Sequence, residues 1–282
     1  MYSPPPIRSI LVPTDFSDGA ELAFAHALRL SVALRARLDI VHVEPENDAA
    51  DWRWGPHVGE TLRRWGYDTG TTPSELEALG VRRTIVSGSE PDAAILAEIA
   101  SSHADLVVMS THGRAGLERW LRPSVTEAVL RRRPVPILLL PSGCRTFVDL
   151  ECGAPSLKRI LVPIATAPNP APGFDAALTL LRAFGGEGCQ LATVHVGEGQ
   201  PGADLLRPPP GLQVFHWNVK GAVVDEILAI ATTWTADLMV VVSEGRRDLF
   251  DELRGSTVER LVARSPVPVL VVPAEWGSRD AV

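Results

Sequence analysis

The sequence predicts an α/β fold: two tandem, doubly wound parallel-sheet domains with the Rossmann-like strand order 3-2-1-4-5. Three observations carry that expectation. The 282-residue chain repeats itself, each repeat alternates strand-like and helix-like segments, and the strand-like segments are near-continuous runs of Ile, Leu and Val. Such runs mark strands buried on both faces, as in a parallel sheet covered by helices, and right-handed crossovers then wind the sheet in both directions. With 45% apolar and 22% charged residues the chain can bury a large core, which excludes a disordered or collagen-like polymer.

The repeat is explicit. Ile10-Leu11-Val12-Pro13 recurs as Ile160-Leu161-Val162-Pro163, and Ala104-Asp105-Leu106 as Ala236-Asp237-Leu238. Arg133-Pro134-Val135-Pro136 is echoed by Ser265-Pro266-Val267-Pro268. From Ala104 to Pro141 the second half aligns at a constant offset of 132, with 17 identities in 38 positions. The first strands align at an offset of 150, so the first repeat is longer in between, and the extra length fits Glu44–Gly59. The expected domains are 1–142 and 157–282, joined by a polar segment, 143–156, that carries Gly143, Gly153 and Pro155.

Within the first repeat Ile7–Thr14 reads as a strand. Gly19–Ala36 reads as a helix, because Leu22, Ala23, Ala25, Leu28, Leu30, Val32 and Leu34 fall at helical spacing. Leu38–Val43 is a second strand. Thr61–Leu79 is a weaker helix interrupted by Gly66, Gly70 and Pro73. Val81–Ser87 is a third strand. Ser89-Glu90-Pro91-Asp92 starts a helix reaching Ser102: serine can cap free amides, proline fits the first turn, and an acid follows three residues later. Leu106–Thr111, Ser124–Arg132 and Val135–Leu140 supply a fourth strand, a helix and a fifth strand.

Composition narrows the function classes. The formal charge is −7 and the pI near 5.5, which argues against nucleic acid as a partner. Apolar runs such as Ile137–Leu140 and Val267–Val272 are far too short to span a bilayer. The start, Met1-Tyr2-Ser3-Pro4-Pro5-Pro6, is not a signal peptide. Cys144, Cys152 and Cys189 have no ligand spacing and read as free thiols of a cytoplasmic protein, with a Cys144–Cys152 bridge as the alternative. The sequence has no phosphate loop ending in Gly-Lys-Ser/Thr, no Gly-x-Ser-x-Gly elbow and no His-Glu-x-x-His. His42 and His195 occupy equivalent positions on the second strands, where packing explains them better than metal.

In the expected strand order, winding reverses between strands 1 and 4, and a ligand crevice belongs at the carboxyl ends of those strands. The residues there are Thr14-Asp15 and Ser110-Thr111-His112-Gly113; in the second repeat they are Ile164-Ala165 and Val242-Ser243-Glu244-Gly245.

Leu11-Val12-Pro13-Thr14-Asp15, Asp105-Leu106-Val107-Val108-Met109-Ser110-Thr111-His112-Gly113-Arg114, Ser124-Val125 and Pro134-Val135-Pro136 resemble the universal stress protein family, over both halves of the chain. Members of that family that bind ATP carry Gly-x-x-Gly, nine residues, then Gly-Ser or Gly-Thr. Glycine lets the backbone approach ribose and phosphate, and a helix amino-terminus offers amides to the anion. The present chain departs from the pattern twice: Ser110, Gly113, Pro123, Ser124 in the first repeat, and Val242, Gly245, Gly255, Ser256 in the second. Pro123 has no amide hydrogen to give. The first loop holds Arg114, Arg119 and Arg122 against Glu118, whereas Arg246, Arg247 and Arg254 are balanced by Asp248, Asp251 and Glu252. A phosphate prefers the first.

The resemblance implies a nucleotide site, for ATP or AMP with magnesium as an accompanying ion at Asp15, built from Pro13, Thr14, Asp15, Val43, Ser110, His112, Gly113, Arg114, Gly116, Ser124 and Val125. The second repeat offers Gly245, Gly255, Ser256 and Thr257 as a degenerate counterpart. Plainer roles stand beside these: Asp15 and Ser124 as helix caps, His112 as a loop-packing residue, Val43 as core, Trp52 and Trp54 of the insertion as packing, and Arg131-Arg132-Arg133 as a solvated helix end. In the family, fifth strands of two subunits associate; here Val135–Leu140 and Val267–Val272 are expected to do so inside one chain as an internal pseudo-dimer, with homodimerisation left open. The expected function is a cytoplasmic stress-response protein that binds adenine nucleotide and changes its contacts with a protein partner. The alternatives are a nucleotide-independent scaffold and a weak ATPase.

Overall fold

The structure, a computed structural model, describes residues 5–44, 57–67, 79–88, 90–111, 125–132, 135–184, 188–199, 201, 206–244 and 256–277. The first repeat runs β1 (Ser9–Thr14), α1 (Asp18–Leu34), β2 (Arg37–Glu44), α2 (Val58–Arg64), β3 (Arg82–Ser87), α3 (Pro91–Ser102), β4 (Leu106–Ser110), α4 (Val125–Arg132) and β5 (Ile137–Leu140). The second runs β6 (Arg159–Pro163), α5 (Ala171–Phe184), β7 (Gln190–Val196), β8 (Gln213–Val219), α6 (Val223–Thr233), β9 (Leu238–Ser243), α7 (Thr257–Arg264) and β10 (Val269–Pro273). Counted by repeat, both halves follow the expected order 3-2-1-4-5.

The chain forms two compact units. One consists of Pro6–Leu130 with Val148–Pro155, and its strands lie in the order β3-β2-β1-β4, with β1 parallel to both β2 and β4. The other contains Arg131–Phe147 and Ser156–Val282, in the order β5-β10-β9-β6-β7-β8. The fifth strand of the first repeat therefore belongs to the unit built mainly by the second. There it pairs antiparallel with β10, Leu139 against Val269 and Ile137 against Val271. That pairing is the expected association of the two fifth strands, and it covers an apolar edge.

The strands are buried because they are apolar throughout: Ile10, Leu11 and Val12 of β1 and Ile160, Leu161 and Val162 of β6 are fully inaccessible. Each repeat fixes the start of its first strand in the same way. The Asp105 carboxylate accepts from the Arg8 and Ser9 amides at 2.8 and 3.0 Å, and Asp237 accepts from the Lys158 and Arg159 amides at 2.9 and 2.8 Å. These charge-assisted bonds account for the recurring Ala-Asp-Leu.

Helix ends follow local chemistry with one correction. Ser17 caps α1, its hydroxyl accepting from the Ala20 amide at 3.2 Å. At α3 the N-cap is Glu90, one residue past the expected serine, with no side-chain bond; Pro91 occupies the first turn. Between β2 and β3 the described helix, α2, ends at Arg64, and Gly66 takes a left-handed conformation, φ 82°. Residues 68–78 and the insertion tryptophans Trp52 and Trp54 lie outside the described residues. The three cysteines are free thiols, and burial pushes that of Cys144 up to about 11. Among the described residues no helix is long and apolar enough to cross a membrane.

His26 gives α1 a pH dependence. Its ring is fully buried, Nδ1 donates to the Leu22 carbonyl at 2.8 Å, and burial lowers its pKa from 6.5 to about 4. The unfolded chain takes up this proton near pH 6.5, whereas the folded chain does so only near 4. Stability from the neutral ring is present above pH 6.5 and lost as pH falls toward 4, by about 3 kcal/mol at most. Urea unfolding at pH 7.5 and 4.5 should show a drop of that order, and His26→Phe should remove most of the histidine's share.

Candidate functional site

The crevice of the first unit is assembled by the ends of β1 and β4. The register pairs Ile10 with Leu106 and Leu11 with Val107; continued three residues on, it sets Thr14 beside Ser110. Thr14 is buried, and Pro13, Asp15 and Ser110 are half-buried. Helix α4 begins against the same place: the Thr126 hydroxyl donates to the Ser110 carbonyl at 3.0 Å, which brings Val125, the first residue of the helix, to the end of β4. Val43 lies one strand away, at the end of β2, where its neighbour His42 pairs with Thr14. His112, Gly113, Arg114, Gly116 and Ser124 lie outside the described residues, as do Gly245 and Gly255.

The turn after β1 is held by its own side chains. Thr14 Oγ1 accepts from the Phe16 amide at 3.1 Å. Asp15 Oδ1 accepts from the Ser17 amide at 3.1 Å and from the Ser17 hydroxyl at 2.5 Å. Asp15 thus braces the N-cap residue of α1 and does not itself cap the helix. Phe16 adopts a left-handed backbone, φ 59°, a conformation that a non-glycine residue keeps only when its surroundings enforce it. His42 supplies part of that enforcement: Nδ1 donates to the Thr14 carbonyl at 2.8 Å, and its ring stacks on Phe16 with centroids 4.3 Å apart. A cleft of about 360 Å³ opens against the turn, walled by Thr14, Phe16 and Ser17 and across from them by Thr61 and Leu150.

The second unit keeps the scaffold but lines the corresponding strand ends with apolar side chains. Its β6–β9 register, Ile160 with Leu238 and Leu161 with Met239, sets Ile164 beside Val242 when continued. His195 Nδ1 donates to the Ile164 carbonyl at 3.0 Å, the same bond as His42 makes. The polar groups are gone: Ile164, Ala165 and Val242 stand where the first unit has Thr14, Asp15 and Ser110. The Val242 side chain is 8% exposed and packs against Gly173 of α5. A Cβ at residue 173 would come within 2.7 Å of Val242 Cγ2, so the helix gives up a side chain to admit the valine. At the start of α7 the N-cap Ser256 forms a capping box with Glu259: the Ser256 amide donates to Oε2 at 3.0 Å and its hydroxyl accepts from the Glu259 amide at 3.1 Å. Thr257 follows as the first helical residue.

Two of these roles escaped sequence reading, though each left a trace: Asp105 and His42 both recur at the equivalent place in the second repeat, as Asp237 and His195. Among the described residues no group of three or more His, Cys, Asp or Glu is arranged to hold a metal ion.

The chain matches the model of the universal stress protein family over residues 6–141 and 209–273. A universal stress protein of Thermus aquaticus is 33% identical over 137 residues, 47% of this chain and 98% of that protein. One from Methanocaldococcus jannaschii is 29% identical over 139 residues, 47% of this chain and 81% of its own length. The crystal structure of a universal stress protein from Archaeoglobus fulgidus aligns over 94% of this chain and 96% of its own, with a TM-score of 0.64 and 22% identity. A universal stress protein solved in complex with cAMP aligns over 48% of this chain and 98% of its own, at 21% identity and a TM-score of 0.34.

Proposed function

The chain belongs to the universal stress protein family, and from that premise we propose that it is a cytoplasmic regulatory protein that binds one adenine nucleotide, ATP or AMP, in the crevice of its first repeat. The repeats are taken as 1–142 and 157–282, joined by 143–156. The observation that supports this reading most is the contrast between the two crevices. The first presents the Thr14 backbone, the Asp15 carboxylate and the small Ser110 at the strand ends, beside the start of α4. In the second, Val242 fills the corresponding space against Gly173 and the Ser256 amide is committed to Glu259.

Asp15 is the anchor of the nucleotide. Ser17 fixes its carboxylate, which meets a ribose hydroxyl or the magnesium ion that travels with ATP. Glycines of the 112–124 loop and the amides at the start of α4 receive the phosphates. Nucleotide binding changes the surface that a protein partner reads. The second reading is a scaffold that has lost its ligand, favoured by Pro123 in the first repeat and by the filled second crevice.

Titration calorimetry of the full chain with ATP and with AMP, with and without magnesium, tests the proposal. Binding by the native chain, weakened roughly tenfold or more in Asp15→Ala, is the expected outcome, a loss in the range of one charge-assisted contact. No heat of binding at millimolar nucleotide would overturn it in favour of the scaffold.

A further inference from the structure

We infer that His42 is a positioning residue for the nucleotide crevice of the first repeat: it sets the turn that carries Asp15 without touching the ligand. The inference rests on the nucleotide reading above. His42 is tied to that turn twice. Its Nδ1 donates to the Thr14 carbonyl at 2.8 Å, and its ring lies on Phe16, centroids 4.3 Å apart and planes at 22°. Thr14 and Phe16 are the two residues that flank Asp15. Phe16 sits at φ 59°, and an L-residue held there costs on the order of 1 kcal/mol, so the turn relaxes unless something holds it. The Thr14 hydroxyl bond to the Phe16 amide holds the backbone locally; the imidazole holds it from the neighbouring strand. A displacement of about 1 Å at an oriented carboxylate is enough to weaken what it contacts.

The second repeat separates the two halves of this device. His195 keeps the bond to the strand-end carbonyl, that of Ile164, although Ala165 has replaced the aspartate and Thr166 stands where Phe16 would. The carbonyl bond is therefore a scaffold feature that survives without a ligand group. The aromatic stack goes with the repeat that still carries the aspartate.

That asymmetry supplies the control. His42→Phe and His195→Phe delete the same bond in the two units, and both should lower the unfolding temperature by similar amounts. Only His42→Phe should weaken ATP binding, by fivefold or more in calorimetry on the full chain; His195→Phe should stay within twofold of native. His42→Asn, which places an amide N–H near the position of Nδ1 but carries no ring to stack on Phe16, should recover part of the affinity and serves if the phenylalanine variant folds poorly. Affinity within twofold of native in both His42 variants overturns the inference while leaving the nucleotide reading intact. Equal weakening by His195→Phe overturns it as well, because the effect would then be global. A native chain that binds no nucleotide removes both the reading and the inference.

Discussion

Gly153→Val is expected to lower the stability of the unit containing Pro6–Leu130 by about 3–5 kcal/mol, the sum of a strained left-handed valine and an overpacked contact. Gly153 belongs to Val148–Pro155, which packs with that unit. The segment closes on itself: Val148 bridges Pro155, the Asp149 amide donates to the Ala154 carbonyl at 3.1 Å, and Asp149 Oδ1 accepts from the Glu151 and Cys152 amides. Those amide bonds hold the Asp149 carboxyl below its usual range, the Cys152 amide foremost. The closed loop is fastened by Trp65, just past α2, whose indole N–H donates to the Leu150 carbonyl at 3.0 Å. Gly153 lies flat on that ring with φ 66°, and a Cβ there would sit within 2.7 Å of three ring atoms. Glycine is needed for both reasons, the backbone angle and the approach. Thermal unfolding should show the midpoint of that unit falling by roughly 10–20 °C, with tryptophan emission shifted to the red as Trp65 meets water. A midpoint within a degree of native would show that the loop does not rest on Trp65.

Asp39→Ala is expected to cost about 3 kcal/mol in the same unit. Asp39 is 1% exposed on β2 and carries the centre of an ion-pair network. Arg37 Nη2 lies 3.0 Å from Oδ2, Arg82 Nε lies 3.0 Å from Oδ1, and Arg82 continues to Glu98 at 2.6 Å. Ser9 donates to Oδ2 at 3.1 Å, and Arg37 also reaches the Ser102 carbonyl at 2.6 Å. The network ties β1, β2, β3 and α3 together at the end of the sheet opposite the crevice. Removing the carboxylate leaves two guanidinium groups facing each other. Because both side chains are 43–45% exposed, they regain water, which keeps the cost near the lower limit for a broken buried pair. Denaturant unfolding should show the loss at low and high salt alike, since the buried acid is poorly screened. A change under 1 kcal/mol would assign the network to the surface. The second repeat has Ala192 and Gln190 where Asp39 and Arg37 stand, so its unit should lack this sensitivity.

The strand order was legible because both repeats spell it in uninterrupted apolar runs with Pro at recurring places. What remained hidden depends on contacts between residues far apart in the chain. Asp105 was visible as half of a repeated dipeptide, but its partners are amides 96 and 97 residues away. Gly153 reads as linker flexibility until Trp65 is seen beneath it. Ser89 has the chemistry of a cap, yet the helix starts one residue later, where proline fixes the first turn. For the site, the positive balance of Arg114, Arg119 and Arg122 against Glu118 in the first loop, with Asp15 in the first repeat against Ala165 in the second, already ranked the two crevices. What Val242 does with its extra volume required Gly173, a residue that nothing in the local sequence singles out.

The central claim, one working crevice and one filled by its own side chain, is tested most directly by the stoichiometry of ATP binding to the full chain, read by calorimetry or native mass spectrometry for the native protein and for Ser110→Val. The valine gives the first crevice the residue that occupies the second. The expected result is one nucleotide per native chain and none for Ser110→Val at the same concentrations. Two nucleotides per native chain, or unchanged binding by Ser110→Val, would contradict it.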